Sequence, residues 1–167
     1  VQLWSVLEKK ASQINQKNLR KPLKSMTIQD VINRKKTAKK ITMLTAYSYP
    51  LADLIDQAGI DIVLVGDSLV NVELGLEDIC NVTIDEMLHH LKAVRRAVKN
   101  ALLVVDMPYG AYHKGKKQTF DNIQKFIDAG ADAVKIEWHK NILENIKGIK
   151  EKKIPVMGHI GLTPQTV

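Results

Sequence analysis

Ile60-Asp61-Ile62-Val63-Leu64-Val65-Gly66-Asp67-Ser68 decides the fold. Its nearly continuous aliphatic run, Ile60 to Val65, is the signature of a strand buried on both faces, as in parallel sheets. The run ends abruptly in glycine, an acid and a hydroxyl. The same unit recurs downstream. Ala101 to Val105 predicts a strand closed by Asp106-Met107-Pro108, and Ala133 to Ile136 predicts one closed by Glu137. Pro155 to Met157 opens a further strand leading into Gly158-His159, and Ile41 to Tyr47 predicts one upstream of them all.

Helices are expected between these strands. Thr27-Ile28-Gln29-Asp30 carries a Thr cap and an acid in the first turn, so a short helix runs from Thr27 toward Lys36. Pro50 fits a first helical turn, with the helix reaching Ala58 and Gly59 just past its end. A loop containing Gly75 is expected after Ser68. Thr83-Ile84-Asp85-Glu86 is a capping-box pattern, after which Met87, Leu91, Val94 and Val98 share one helical face. Phe120, Ile123 and Ile127 define the next helix, stopped by Gly130, and Ile142, Ile146 and Ile149 the last. The order is one helix, four βα units and a fifth strand, which implies an α/β fold with a parallel sheet and right-handed crossovers. A doubly wound sheet and part of a (β/α)₈ barrel both fit. The first strand is not followed by a G-x-G-x-x-G turn, which counts against a dinucleotide fold. A closed barrel takes ~250 residues. An open sheet of five strands is expected to leave an unpaired edge and an exposed apolar face.

Composition excludes some functions. The chain has 167 residues, 45% hydrophobic and 26% charged, as ordinary globular domains do. No apolar run approaches the ~18 residues of a membrane span. The net charge is +7, but its excess lies near the start. There Lys9, Lys10, Lys17, Arg20, Lys21, Lys24, Arg34, Lys35, Lys36, Lys39 and Lys40 face only Glu8 and Asp30. With 5% aromatic residues there is no base-stacking platform, so nucleic acid is not an expected partner. Two regions are expected: 1–25, a basic extension read as an arm or a transit segment, and 26–167, the barrel part. The chain begins at Val1 rather than Met, as a processed or partial sequence would. The single cysteine, Cys80, fits a reducing compartment. That compartment is cytoplasmic, or the mitochondrial matrix if 1–25 is a transit segment.

Three successive strands end in an acid: Asp67, Asp106 and Glu137. In a barrel, strand C-termini converge on one rim, which carries the active site. Carboxylates gathered there repel one another and call for a cation or protons. Hard oxygen ligands suit Mg²⁺. An acid after a strand also serves as a helix N-cap, the competing use. Lys135 lies two residues before Glu137, on the same face of its strand. It is read either as half of a structural ion pair or as a cation for a substrate carboxylate and developing negative charge. His159, between Gly158 and Gly161, is a rim histidine or a structural one. Ser68 either donates to a substrate oxygen or caps the loop. His89 and His90 face different ways and are read as helix-surface or core residues. P-loop, nucleophile-elbow and C-x-x-C patterns are absent.

On these residues the sequence resembles the ketopantoate hydroxymethyltransferase family. The carriers are Thr45-Ala46-Tyr47, Val65-Gly66-Asp67-Ser68-Leu69, Val82-Thr83 with Glu86-Met87, and His90 with Ala93-Val94. They continue through Asp106-Met107-Pro108-Tyr109, Gly130-Ala131-Asp132-Ala133-Val134-Lys135-Ile136-Glu137 and Gly158-His159-Ile160-Gly161-Leu162-Thr163-Pro164-Gln165. The resemblance implies a parallel (β/α) barrel of the TIM type, truncated here after about five strands and preceded by an N-terminal helix. It implies Mg²⁺-dependent transfer of a hydroxymethyl group from 5,10-methylenetetrahydrofolate to 3-methyl-2-oxobutanoate. The transfer runs through an enolate and gives 2-dehydropantoate, on the way to pantothenate and coenzyme A. Asp67, Asp106 and Glu137 then stand at the metal positions, Glu137 through water. Asp67, Ser68, Asp106 and Lys135 hold the 2-oxo acid, and Lys135 and His159 serve catalysis. The general-base Glu is implied to lie beyond Val167, so the chain alone is expected to be inactive. The full-length parent is implied to be a homo-oligomer with no membrane or nucleic-acid partner. Val70, Ile79 and Asn81 depart from the family's usual Gly, Thr and Pro. Alternative functions are a non-catalytic truncated subunit or remnant, or a related Mg²⁺-dependent 2-oxo-acid lyase.

Overall fold

A computed structural model describes residues 25–139 and 142–165 of the chain. The basic extension expected over 1–25 therefore lies, save for Ser25, outside the described residues. The strands are β1 (Met43–Thr45), β2 (Ile62–Val65), β3 (Leu102–Asp106), β4 (Ala133–Glu137) and β5 (Val156–His159). The helices are α1 (Ile28–Arg34), α2 (Tyr49–Gln57), α3 (Leu69–Val72), α4 (Ile84–Ala97), α5 (Lys116–Asp128) and α6 (Ile142–Glu151). Among the described residues, no helix is long and apolar enough to cross a membrane.

All strand pairs are parallel, and the spatial order is β1-β2-β3-β4-β5. This order settles the choice of architecture. A doubly wound sheet reverses direction at a switch point, whereas a barrel adds each strand on the same side of the last. The five strands are thus consecutive staves of a barrel wall.

The register sorts side chains onto two faces. Val63, Val65, Leu103, Val105, Val134 and Ile136 point outward into a continuous core with Ala52, Ile55, Met87, Leu91, Val94, Ile123, Phe126 and Ile149 from the helices. On the inner face Ile62, Leu64, Leu102, Val104 and Ala133 form a second buried cluster. It is covered by Met26, Ile28 and Val31 of α1 and its lead-in, together with Met157. The expected exposed apolar face is therefore not found across β2–β4, because α1 packs against it. Met26 N–H donates to the Asn100 carbonyl (2.6 Å), and Arg34 pairs with Asp61 at 2.8 Å, so α1 is fastened where β2 and β3 begin. Exposure survives on the flanks. Met43 and Leu44 of edge strand β1 are open, as are Ile160 and Leu162 beyond β5.

The strand and helix limits follow the sequence closely, with two exceptions. β1 is shorter than Ile41 to Tyr47, because it pairs only with β2 and Thr42 N–H bonds the Asp61 side chain instead of a strand. The Gly75 loop contains the single turn α3 and a 3₁₀ turn at Ile79–Asn81, the latter capped by Asp78. Four residues are too few to show helical periodicity in sequence. Thr27 and Thr83 both form full capping boxes, with Asp30 and Glu86.

One buried carboxylate joins α2 to β3. Asp56, on the last turn of α2, accepts from Asn100 N (2.9 Å), Asn100 Nδ2 (2.8 Å) and Ala101 N (2.8 Å). Losing it strands the buried Ala101 N–H. An unsatisfied buried donor costs ~1–3 kcal/mol. Asp56→Ala is expected to lower unfolding free energy by about 2–3 kcal/mol, read as a lower urea midpoint at unchanged slope. Asp56→Asn, which keeps one acceptor, should lose less.

Candidate active site at the strand ends

The C-terminal ends of β2, β3 and β4 bring the expected acids to one rim. Asp67, Asp106 and Glu137 are all buried, at 8%, 4% and 5% exposure. Asp106 and Glu137 are the last residues of their strands, and Asp67 lies two residues past β2. None of the three caps a helix in the described caps. Ser68 and Gly115 stand at the starts of α3 and α5.

The contacts link the acids in sequence. Asp67 N–H donates to Asp106 Oδ2 at 3.2 Å, so these two positions are immediate neighbours. Lys135 Nζ donates to Asp106 Oδ1 at 2.7 Å. The register explains the pair, since Asp106 and Lys135 are partners on adjacent strands and share the inner face. Lys135 is thus an ion-pair member and stands at the rim at once. Burial, opposed by Lys135 and reinforced by Asp67, pushes the Asp106 carboxyl up to about 6. The close ammonium does not fully offset the loss of water around this carboxylate.

Glu137 is held separately. His159, its partner on β5, places Nδ1 3.1 Å from Glu137 Oε1. Glu137 Oε2 accepts from the backbone N–H of Gln165 at 3.1 Å. Ser68 does not cap its helix with its side chain. Its hydroxyl lies 2.7 Å from the Tyr47 phenol. Tyr47 in turn offers its carbonyl to His90 Nδ1 at 2.8 Å, while His89 is exposed, so the two histidines do face different ways.

Tyr47, Tyr112 and Gln165 were not singled out as site residues by sequence reasoning. Gln165 lies among the acids and is buried. Its Nε2 donates to Asp67 Oδ2 (2.6 Å) and to the Met107 carbonyl (3.0 Å), and its Oε1 accepts from Tyr112 Oη (2.6 Å). Burial, then the charge of Glu137, pushes the Tyr112 phenol well above its ordinary value, so it remains a donor. No local pattern announces contacts between residues this far apart. Cys80 is half-buried, and burial followed by Asp78 raises its thiol above the usual range. A protonated thiol is a poor nucleophile.

Among the described residues, no three carboxylate, imidazole or thiolate groups are gathered in ion-holding geometry. Lys135 and Gln165 take up an oxygen each of Asp106 and Asp67. The donor set nevertheless suits Mg²⁺, which commonly uses one or two carboxylates and completes its shell with water and substrate. Asp67 and Asp106 are such an adjacent, buried oxygen pair, and Glu137 lies within one residue's contact of Asp67 through Gln165.

Comparisons with known proteins bear on the chain as a whole. Residues 25–167 match the family model described as ketopantoate hydroxymethyltransferase. A 3-methyl-2-oxobutanoate hydroxymethyltransferase of Syntrophomonas wolfei is 51% identical over 143 residues, covering 85% of this chain and 52% of the relative. One of Acetivibrio thermocellus is 49% identical over 142 residues, covering 84% and 50%. The chain thus spans about half the length of the curated relatives it matches. Among solved structures, 2,3-dimethylmalate lyase, a PEP mutase/isocitrate lyase superfamily member, superposes with TM-score 0.58 at 14% identity. That match covers 80% of this chain and 52% of the lyase. Phosphonopyruvate hydrolase in complex with oxalate and Mg²⁺ gives TM-score 0.56 at 18% identity, covering 70% and 40%. At such identities the likeness concerns the fold.

Proposed function

The chain belongs to the ketopantoate hydroxymethyltransferase family, and from that premise we propose that its rim is the metal and 2-oxo-acid half of a hydroxymethyl-transfer site. The reaction proposed for the whole protein moves a hydroxymethyl group from 5,10-methylenetetrahydrofolate to 3-methyl-2-oxobutanoate and gives 2-dehydropantoate. The observation that carries the reading is the contact chain Asp67–Asp106–Lys135 across three adjacent strand ends. Two buried carboxylates and an ammonium side by side would suit a metal-chelated 2-oxo acid. Likeness to a fold whose phosphonopyruvate hydrolase member takes oxalate and Mg²⁺ supports the same assignment.

Asp67 and Asp106 would hold Mg²⁺, with Glu137 reached through water. Bound there, Mg²⁺ would supply Lewis-acid polarisation of the 2-oxo group. Lys135 contributes positive charge beside Asp106, where negative charge grows on the oxo acid as C3 loses its proton. The Ser68 hydroxyl, 2.7 Å from the Tyr47 phenol, would donate to a substrate oxygen. Glu137 engages His159 at Nδ1, which leaves Nε2 as the atom through which this imidazole can take up or release a proton. The base that removes the C3 proton is proposed to be a glutamate from beyond Val167. The parent is proposed to be a cytoplasmic homo-oligomer, with the mitochondrial matrix as its place if 1–25 directs it there.

Calorimetric titration with Mg²⁺ tests the assignment. Asp67→Asn is expected to weaken Mg²⁺ binding about 100-fold, a difference of ~2.7 kcal/mol. Unchanged affinity in that variant would remove Asp67 from the site.

A further inference from the structure

Gln165 is the most fully engaged polar side chain at the rim, and neither charge nor catalysis accounts for it. It is 5% exposed, and its amide orientation is fixed by its surroundings. Nε2 faces two groups that only accept, the Asp67 carboxylate and the Met107 carbonyl, while Oε1 faces the Tyr112 hydroxyl. Turning the amide over would set oxygen against both acceptors. Its backbone N–H holds Glu137 as well. One residue thus ties together the ends of β2, β3 and β4 from the segment that follows β5. Cys80 adds a weak contact to its carbonyl.

The choice of a carboxamide has a physical logic. A lysine in this place would orient Asp67 but cancel the charge that attracts a cation. An apolar side chain would take from the buried Asp67 Oδ2 its amide donor and from Tyr112 Oη the amide acceptor. A glutamine aligns the carboxylate and leaves it negative. It occupies Oδ2 alone.

We propose that Gln165 is a positioning residue, held by Tyr112, that fixes the Asp67 and Glu137 carboxylates in the orientation from which they bind the divalent cation. The inference rests on the reading of those acids as the metal site. Groups that orient metal ligands from behind commonly change metal affinity ~10–100-fold when removed.

The test is Mg²⁺ calorimetry on the 167-residue chain, with each variant measured well below its own melting midpoint. Gln165→Ala is expected to raise the Mg²⁺ Kd at least about 10-fold. Tyr112→Phe, which keeps the ring and its packing, should raise it by less. In the double variant the Tyr112 change should add nothing, because its effect passes through Gln165. A purely structural role would lower the melting midpoint and leave Kd in place. Kd within twofold of the parent in Gln165→Ala would overturn the inference while the metal site stands. Should Gln165→Ala fail to fold, Tyr112→Phe decides alone, and an unchanged Kd there overturns the claim. No Mg²⁺ binding by the parent chain would overturn both the metal assignment and this inference.

Discussion

Asp106→Ala is expected to destabilise the chain by about 3–5 kcal/mol and to abolish measurable Mg²⁺ binding. Asp106 is the hub of the rim, accepting from Lys135 Nζ on one oxygen and from the Asp67 N–H on the other. Its removal leaves an ammonium and a backbone donor without their acceptor in a place largely closed to water. Breaking one side of a buried pair costs far more than the pair itself contributes, because the remaining charge is uncompensated. The stability arm is read by urea unfolding at pH 7 in the presence of a chelator. The reciprocal change, Lys135→Met, should cost clearly less. It leaves the carboxyl still bonded to Asp67 N–H, and that carboxyl, already near 6, takes up a proton readily once its ammonium is gone. Equal losses from the two variants would show that the pair acts as a symmetric salt bridge rather than as a hub with one expendable arm.

Phe126→Ala should be of similar size for a different reason. Phe126 lies on α5, fully enclosed in the outer core with Ile123, Val134, Ile136 and Ile149. Truncating a buried Phe forfeits its transfer free energy and leaves a cavity that the barrel wall cannot close, about 3–5 kcal/mol in all. Phe126→Leu should recover most of this. The measurement is the urea midpoint, and a loss under ~1 kcal/mol for Phe126→Ala would mean that the layer between α5 and the sheet repacks freely.

The two variants probe parts of the molecule that differ in how openly the sequence declares them. The aliphatic runs of β2 and β3 are visible directly, whereas Phe126 lies beside the stripe Phe120, Ile123 and Ile127 that the spacing marks, and of those three only Ile123 is fully buried with it. Buried parallel strands must be apolar on both faces, so their runs stand out and their ends are sharp. The acids at those ends, and Lys135 two residues before one of them, were legible for the same reason. Strand alternation fixes the face, and the barrel brings ends together. What stayed hidden depends on contacts between distant residues. Ser68 meets Tyr47, and Gln165 meets Asp67, Tyr112 and Glu137, without any spacing that would announce it. α3 is too short to leave a period, and the sealing of the inner face by α1 follows from tertiary packing alone.

That seal also bears on how the chain is made. α1 precedes every strand, so it leaves the ribosome before any of them. When β2 and then β3 emerge, Met26, Ile28 and Val31 are already present to shield Ile62, Leu64, Leu102 and Val104. A nascent barrel otherwise presents its greasy lumen to water until the last stave arrives. Here the floor is laid before the walls rise, and each new strand finds a surface waiting for it, which shortens the interval in which a growing polypeptide is vulnerable to aggregation.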